Sequence, residues 1–318
     1  MTVLVTGAAG FIGFHVAAAL LRRSKNVIGV DSLTDYYSPS LKRHRVDALA
    51  AKGADFTFAQ VDFADFDALQ AALGGRTVTR IVHLGGQAGV RHSIDAPFDY
   101  GRANLVGQLN LLELARRHAC PMVYASSSSV YGANTKLPFS VDDRVDHPVS
   151  LYAATKRAGE LMAESYAHLY NVPLTGLRFF TVYGPWGRPD MAVWKFTHAV
   201  LTGLPVQLFN CGAMRRDFTY VDDVVDGVLA ALYRPSAGHA VYNLGNDRPE
   251  ELHRLLALIE AACGRQATIE MLPMQLGDVP ATWADIDATR HDLGFAPRVD
   301  LATGIPRFVE WYRSYAGH

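Results

Sequence analysis

Thr2-Val-Leu-Val-Thr-Gly7-Ala-Ala-Gly10-Phe-Ile-Gly13 is the stretch that decides the fold. An apolar run breaks into three glycines, each separated from the next by two residues, and an amphipathic stretch opens near Phe11. The order is strand, tight turn, helix. Glycine permits the turn, lets backbone approach a pyrophosphate and lets the helix pack close to the strand, while the helix N-terminus presents unpaired N–H groups to phosphate. Gly7, Gly10, Phe11, Ile12 and Gly13 are therefore candidate cofactor contacts. The next apolar run, NVIGVD, ends at Asp31, about 20 residues beyond the turn, where a carboxylate accepts hydrogen bonds from an adenosine ribose diol. Ser32 and Leu33 follow rather than an arginine, which favours NAD over NADP.

Working outward, the same alternation of short apolar runs and longer amphipathic stretches continues through FTFAQVD, RIVHL, MVYAS and LTGLRFF. Strand and helix alternate in this way in a parallel sheet. We expect an α/β fold: a Rossmann-type, doubly wound parallel sheet over residues 1–178, with ligands in the crevice at the carboxyl ends of its strands. Helical patterns run from Asp99 to His118 and from Tyr152 to Asn171. Asp62 closes the third strand as a candidate partner for an adenine amino group, with Phe63 beside it. Leu84, Gly85 and Gly86 end the fourth, where small residues bring backbone near a cofactor. After Phe180 the rhythm loosens into VYGPWGRPDM, then a helix from about Ala192 to Thr202 and smaller units. Residues 179–318 read as a smaller C-terminal α/β domain that binds substrate, with a soft boundary that segments can cross.

The bulk properties narrow the function. Across 318 residues, 30 basic and 31 acidic side chains nearly cancel and 49% of residues are hydrophobic, which argues against a nucleic-acid or anionic-membrane partner. No apolar stretch approaches the roughly 20 residues of a membrane span. The three cysteines, Cys120, Cys211 and Cys263, are odd in number and widely spaced, so neither a disulfide framework nor a metal site is indicated, and a reducing cytoplasm is the expected location.

Reaction chemistry gathers at the fifth strand. It empties into Ser126-Ser127-Ser128-Ser129-Val-Tyr-Gly, and Tyr152-Ala-Ala-Thr-Lys156 follows on a helix. A tyrosine and a lysine four apart share a helix face, so the ammonium is expected to lower the phenol toward neutrality and make it a general base. With a serine hydroxyl beside it, two groups address one substrate alcohol next to the nicotinamide that accepts its hydride. This is alcohol-to-ketone chemistry.

Through Gly7-x-x-Gly10-x-x-Gly13, the strand-end serines and Tyr152-x-x-x-Lys156, the chain resembles the extended short-chain dehydrogenase/reductase family, NAD-dependent epimerase/dehydratase group, from end to end. The resemblance implies Tyr152 as acid/base, Lys156 also holding the nicotinamide ribose, and Ser127 aiding proton transfer with Ser128 as neighbour. DSLTDYYSPSLKRHR, HLGGQAGVRHSI, RFFTVYGPWGRPDM, MRRDFTYVDD and MLPMQLGDVPATWADID are similar to the branch whose members are UDP-glucuronate 4-epimerases. Two departures stand out: Gly85 and Gly86 replace the usual alanines, and Leu276 the usual proline. Serines at 127–129 leave no carboxylate pair for a dehydratase. A 4-keto glucuronate is a β-keto acid prone to lose carbon dioxide, so its carboxylate must be held; the resemblance points to Thr181 and Arg188. It likewise points to Arg216 for the diphosphate, Asp278 near the nucleotide ribose and Arg91 near the sugar or its phosphate. A homodimer formed through the two long helices is also implied. A UDP-galactose 4-epimerase, a UDP-glucuronate decarboxylase and a non-catalytic NAD(H)-binding sensor remain as alternatives.

Overall fold

The computed structural model describes residues 1–53, 55–275 and 277–317, so Leu276 lies outside the described residues. In chain order the elements are β1 (Thr2–Thr6), α1 (Phe11–Arg22), β2 (Asn26–Asp31), α2 (Pro39–Ala50), β3 (Phe56–Gln60), α3 (Phe66–Leu73), β4 (Arg80–His83), α4 (His92–Asp95), α5 (Pro97–Tyr100), a π-helical stretch (Gly101–Val106) and α6 (Gly107–Arg117). There follow β5 (Met122–Ser127), α7 (Leu151–Tyr170), β6 (Leu174–Phe179), β7 (Thr181–Tyr183), α8 (Ala192–Thr202), β8 (Val206–Phe209), β9 (Arg215–Tyr220), α9 (Val221–Tyr233) and β10 (His239–Leu244). The chain closes with β11 (Pro249–Glu251), α10 (Leu252–Cys263), β12 (Ile269–Leu272), α11 (Asp287–Leu293) and α12 (Leu301–Ala316).

β10-β6-β5-β4-β1-β2-β3 form one sheet in which every neighbouring pair is parallel. Its inner strands are largely buried on both faces, because side chains alternate and both faces are covered, whereas the edge strand β3 exposes Thr57 and Gln60. Val3 and Val5 point into a core with α1 and α9, whereas Leu4 points into a second core with α3, α6 and α7. Strand order reverses between β1 and β4, and there the carboxyl ends open a crevice.

The expected helices are present, with shifted ends. α7 begins at Leu151 because the Ser150 hydroxyl accepts the Ala153 N–H at 3.1 Å, and it stops at Asn171, which adopts φ 55. The helix expected from Asp99 starts at Pro97, and its middle widens into the π stretch. That widening aims the buried Asn104 at the Gln87 backbone, where it accepts from N–H at 2.8 Å and donates to C=O at 3.0 Å.

Smaller units past residue 178 make a separate core from α8, β8, α10 and α12, through Phe196, Leu208, Leu255 and Phe308. β9 is the middle strand of a three-stranded sheet, parallel to β7 and antiparallel to β11. β10 then returns to the large sheet, pairing His239 with Leu174 through to Leu244 with Phe179.

Candidate active site

The crevice is a cavity of about 1130 Å³, roomy enough for a dinucleotide and a nucleotide sugar together. Gly7, Gly10, Phe11, Ile12, Gly13, Asp31, Asp62, Phe63, Leu84, Gly85, Arg91, Ser127, Ser128, Tyr152, Lys156, Thr181, Arg188 and Asp278 all line it. Arg216 does not.

At the glycine turn, Gly7 adopts φ +70, and a Cβ on Gly13 would lie 2.0 Å from the Gly7 carbonyl, so α1 packs on the turn with no room for a side chain. No acidic residue stands in the first turn of α1 to compete for its free N–H groups. The buried Asp31 accepts from Ala9 N–H at 3.1 Å and Leu33 N–H at 2.9 Å, one bond to each oxygen, which leaves lone pairs for a ribose diol. Burial raises its pKa, against the two backbone bonds and the Lys42 charge. Asp62 takes Arg102 Nε at 2.7 Å at the rim. Both unusual glycines have a spatial reason. A Cβ on Gly85 would sit 2.6 Å from the Phe63 ring, and one on Gly86 would sit 2.9 Å from Asn104 Oδ1 and 3.2 Å from Lys156 Nζ.

Tyr152 and Lys156 face the cavity from the first turns of α7, and Ser127 faces it from the end of β5. Desolvation raises the Tyr152 pKa; the Ser127 hydroxyl bonded to the phenol and the Arg188 charge oppose this, while Asp190 reinforces it. The expectation that Lys156 lowers the phenol is thereby corrected: the cation that bears on Tyr152 is Arg188. Lys156 Nζ donates to the Ala125 carbonyl at 3.0 Å and is lowered by desolvation to about 8. Two of its three hydrogens are left unused among the described residues. An under-bonded ammonium beside a glycine-walled crevice fits the two hydroxyls of a nicotinamide ribose, and with Asp31 it makes the chain fit NAD.

Across the cavity stands the loop after β7. Arg188 donates Nε to Asp190 Oδ1 at 2.9 Å and Nη2 to Asp190 Oδ2, with about a quarter of its side chain exposed (23%). Tyr36, from the segment between β2 and α2, donates to the same carboxylate at 3.1 Å. Neither Asp190 nor Tyr36 was singled out by the sequence reading. The available signal was an acid two residues past the candidate arginine Arg188, with Pro189 between them. Arg91 pairs with Asp278 at 3.3 Å. Arg216 is tied to the Arg215 and Pro280 carbonyls at 3.0 and 3.2 Å, outside the cavity wall but near enough for the Asp278 and Arg91 charges to act on it.

A doubly wound sheet, a glycine turn backed by Asp31 and a Tyr-Lys-Ser cluster over the crevice define a class of dinucleotide-dependent enzymes. The model of the NAD dependent epimerase/dehydratase family matches residues 3–245, and the chain belongs to that family. It is 46% identical to UDP-glucuronate 4-epimerase 4 of Arabidopsis thaliana, over 99% of this chain and 76% of that one. It is also 46% identical to a probable UDP-glucuronate 4-epimerase of Rhizobium meliloti, over 98% of this chain and 97% of that one. Among solved structures, UDP-glucuronic acid 4-epimerase from Bacillus cereus, in complex with UDP-glucuronic acid and NAD, superposes with a TM-score of 0.91 at 32% identity, covering 99% of this chain and 100% of that one.

Proposed function

We propose that the chain interconverts UDP-glucuronate and UDP-galacturonate by inverting C4 of the sugar through a 4-keto sugar. One observation carries the reading: the Tyr152–Ser127 pair and the Thr181–Arg188 pair line the same cavity, so an alcohol and a carboxylate of one sugar can be addressed together. NAD, when bound, supplies the acceptor and donor of the C4 hydride. Tyr152 takes the proton from the C4 hydroxyl and returns it, with Ser127 sharing the hydrogen bond and Ser128 beside it. Lys156 holds the nicotinamide ribose. The Ser127 hydroxyl and the Arg188 charge counter the desolvation of the phenol. Gly7, Gly10, Phe11, Ile12, Gly13, Asp31, Asp62, Phe63, Leu84 and Gly85, all within residues 1–178, hold the rest of the cofactor. Thr181 and Arg188 hold the sugar carboxylate; Asp278, with Arg216 behind it, receives the nucleotide from the 179–318 side, and Arg91, paired with Asp278, from the 1–178 side. Inversion follows when the keto sugar presents its opposite face to the same cofactor.

The test is incubation of the purified protein with UDP-glucuronate, with and without added NAD, followed by proton NMR. Growth of UDP-galacturonate to an equilibrium mixture is the expected result. UDP-pentose would instead make the chain a decarboxylase, and turnover of UDP-galactose alone would make it a neutral-sugar epimerase.

Two further properties belong to this reading. The protein works as a homodimer, supported by apolar side chains left exposed on the α5–α6 and α7 helices: Phe98 at 90%, Leu161 at 55% and Leu169 at 62%. It works in the cytoplasm, supported by three unpaired thiols; no described helix is long and apolar enough to cross a membrane.

A further inference from the structure

We propose that Asp190, held by Tyr36, is a positioning residue that turns Arg188 so that one edge of its guanidinium faces the sugar, and that this fixed edge selects an acidic hexose and keeps its carboxylate through the 4-keto stage. The inference rests on the epimerase reading and deepens it.

A guanidinium carries five N–H donors in one rigid plane. Asp190 occupies the Nε edge and one Nη2 hydrogen. Nη1 and the other Nη2 hydrogen form no hydrogen bond among the described residues, so the side chain offers one two-pronged edge, the geometry that grips a carboxylate bidentately. Asp190 is itself held. The Tyr36 hydroxyl donates to Oδ2, and the Tyr36 ring lies 4.7 Å from the His92 ring, which fixes the phenol from behind.

The neighbouring residue makes the support double. Tyr37 Oη accepts from Arg45 Nη1 at 2.8 Å, and Arg45 Nη2 donates to the Trp186 and Gly187 carbonyls, immediately before Arg188. Arg45 is fully buried and has no carboxylate partner among the described residues. Its Nη1 also reaches the Ala9 carbonyl in the glycine turn at 2.9 Å. A guanidinium buried among carbonyls and a phenol with no counter-charge is costly, and this one ties the loop of Arg188 to the turn that receives the cofactor. Arg45 on α2 thus grips the loop at 186–187, and Tyr36, from the segment before α2, grips it at 190.

The orientation bears on the chemistry. In a 4-keto glucuronate the C5–C6 bond can break, its electron pair passing to the C4 carbonyl to give an enolate that takes a proton at C5, while carbon dioxide leaves. This requires the breaking bond to stand parallel to the carbonyl π system. A carboxylate gripped by one fixed planar edge keeps C6 near the plane of the C4 carbonyl, out of that alignment; one met by a swinging arginine leaves C6 free to move out of that plane and into it.

The test uses the NAD-loaded protein with UDP-glucuronate, followed by proton NMR. In Asp190→Asn the epimerisation kcat should fall roughly ten- to a hundredfold with a smaller rise in KM, as expected for a misplaced reactive geometry. UDP-pentose or UDP-4-keto-pentose should appear beside UDP-galacturonate. Tyr36→Phe should move rate and product ratio the same way by roughly threefold, the scale of one hydrogen bond. UDP without a sugar should bind both variants within about twofold of the parent protein, since the change is local. Parent-like rate and products in Asp190→Asn would overturn the proposal. So would UDP affinity and NAD content falling in step with the rate, because Asp190 would then merely support the loop. If the parent protein itself leaves UDP-glucuronate unchanged, the epimerase reading fails, and the inference falls with it.

Discussion

In the proposed reaction Tyr152 is the residue that moves the proton, and its surroundings work against proton abstraction. Burial pushes the phenol up, and what pulls it down is a hydroxyl and a cation from two other elements. Replacing it isolates the proton-transfer step. Tyr152→Phe should lower the epimerisation rate about a thousandfold, within the range for a lost general base, while UDP binding and NAD content stay near those of the parent protein. Rate loss with intact binding also separates an enzyme from a sensor, which would lose nothing. At this scale the sequence was a good guide wherever spacing along one element set the geometry, as for Tyr152 and Lys156 on one helix face or Gly7 to Gly13 around one turn. It failed where geometry depends on residues distant in the chain. Asp190 and Tyr36 are 154 positions apart, and no periodicity links them. Arg216 stands outside the cavity wall for the same reason, since besides the adjacent Arg215 carbonyl its side chain is held by the Pro280 carbonyl, 64 positions away.

α7 shows how an element carries a site. Its first turns present Tyr152 and Lys156, and one turn further Glu160 is buried against β5 and β6. Glu160 accepts from Ser126 at 2.6 Å and from Arg178 Nε and Nη2 at 2.8 and 2.9 Å, and Arg157 adds a bond from its own helix. Burial alone would raise this carboxyl, but the Arg178 bonds and charge outweigh it and hold it below the usual range. The network clamps the helix to the strand end that carries Ser127. Glu160→Gln leaves the Arg178 cation in the core without its counter-charge, so unfolding in urea should show a loss of about 3–5 kcal/mol. The kcat should fall as well, because Ser126 adjoins Ser127. The helix itself was legible, since an apolar face every three or four residues needs nothing beyond its own sequence. The π stretch before α6 was not, because it answers to the Gln87 backbone.

For the molecule as a whole, acidity and assembly are the accessible tests. His83 is buried beside Thr6 Oγ1 at 2.6 Å and is lowered to about 3 by burial and then by the Lys156 charge; His15, beside the Pro185 carbonyl, is lowered to about 4 by burial. An unfolded chain protonates both near 6.5 while the folded chain does not, so it binds more protons and stability drops as pH falls from 6.5 toward 4. Asp217, raised by burial to about 6, takes up a proton in the folded state over part of that range and offsets one histidine's share. His83→Asn should therefore flatten the dependence of urea-unfolding free energy on pH by about 1.4 kcal/mol per unit between roughly pH 6 and 4. In sedimentation at micromolar concentration the protein should run as a dimer, and Phe98→Glu with Leu161→Glu should return it to the monomer.

β10 has a consequence for how the molecule is made. It is the outermost strand beside β6, yet β7, α8, β8, β9 and α9 are synthesised between the two. While the ribosome works through that interval, β6 stands as a bare edge able to pair with any extended segment nearby, and a chain broken off before His239 would keep that edge for good. The seven-stranded sheet thus waits for the later part of the chain before its edge at β6 is covered, so truncated products of this gene should aggregate rather than survive as free-standing fragments.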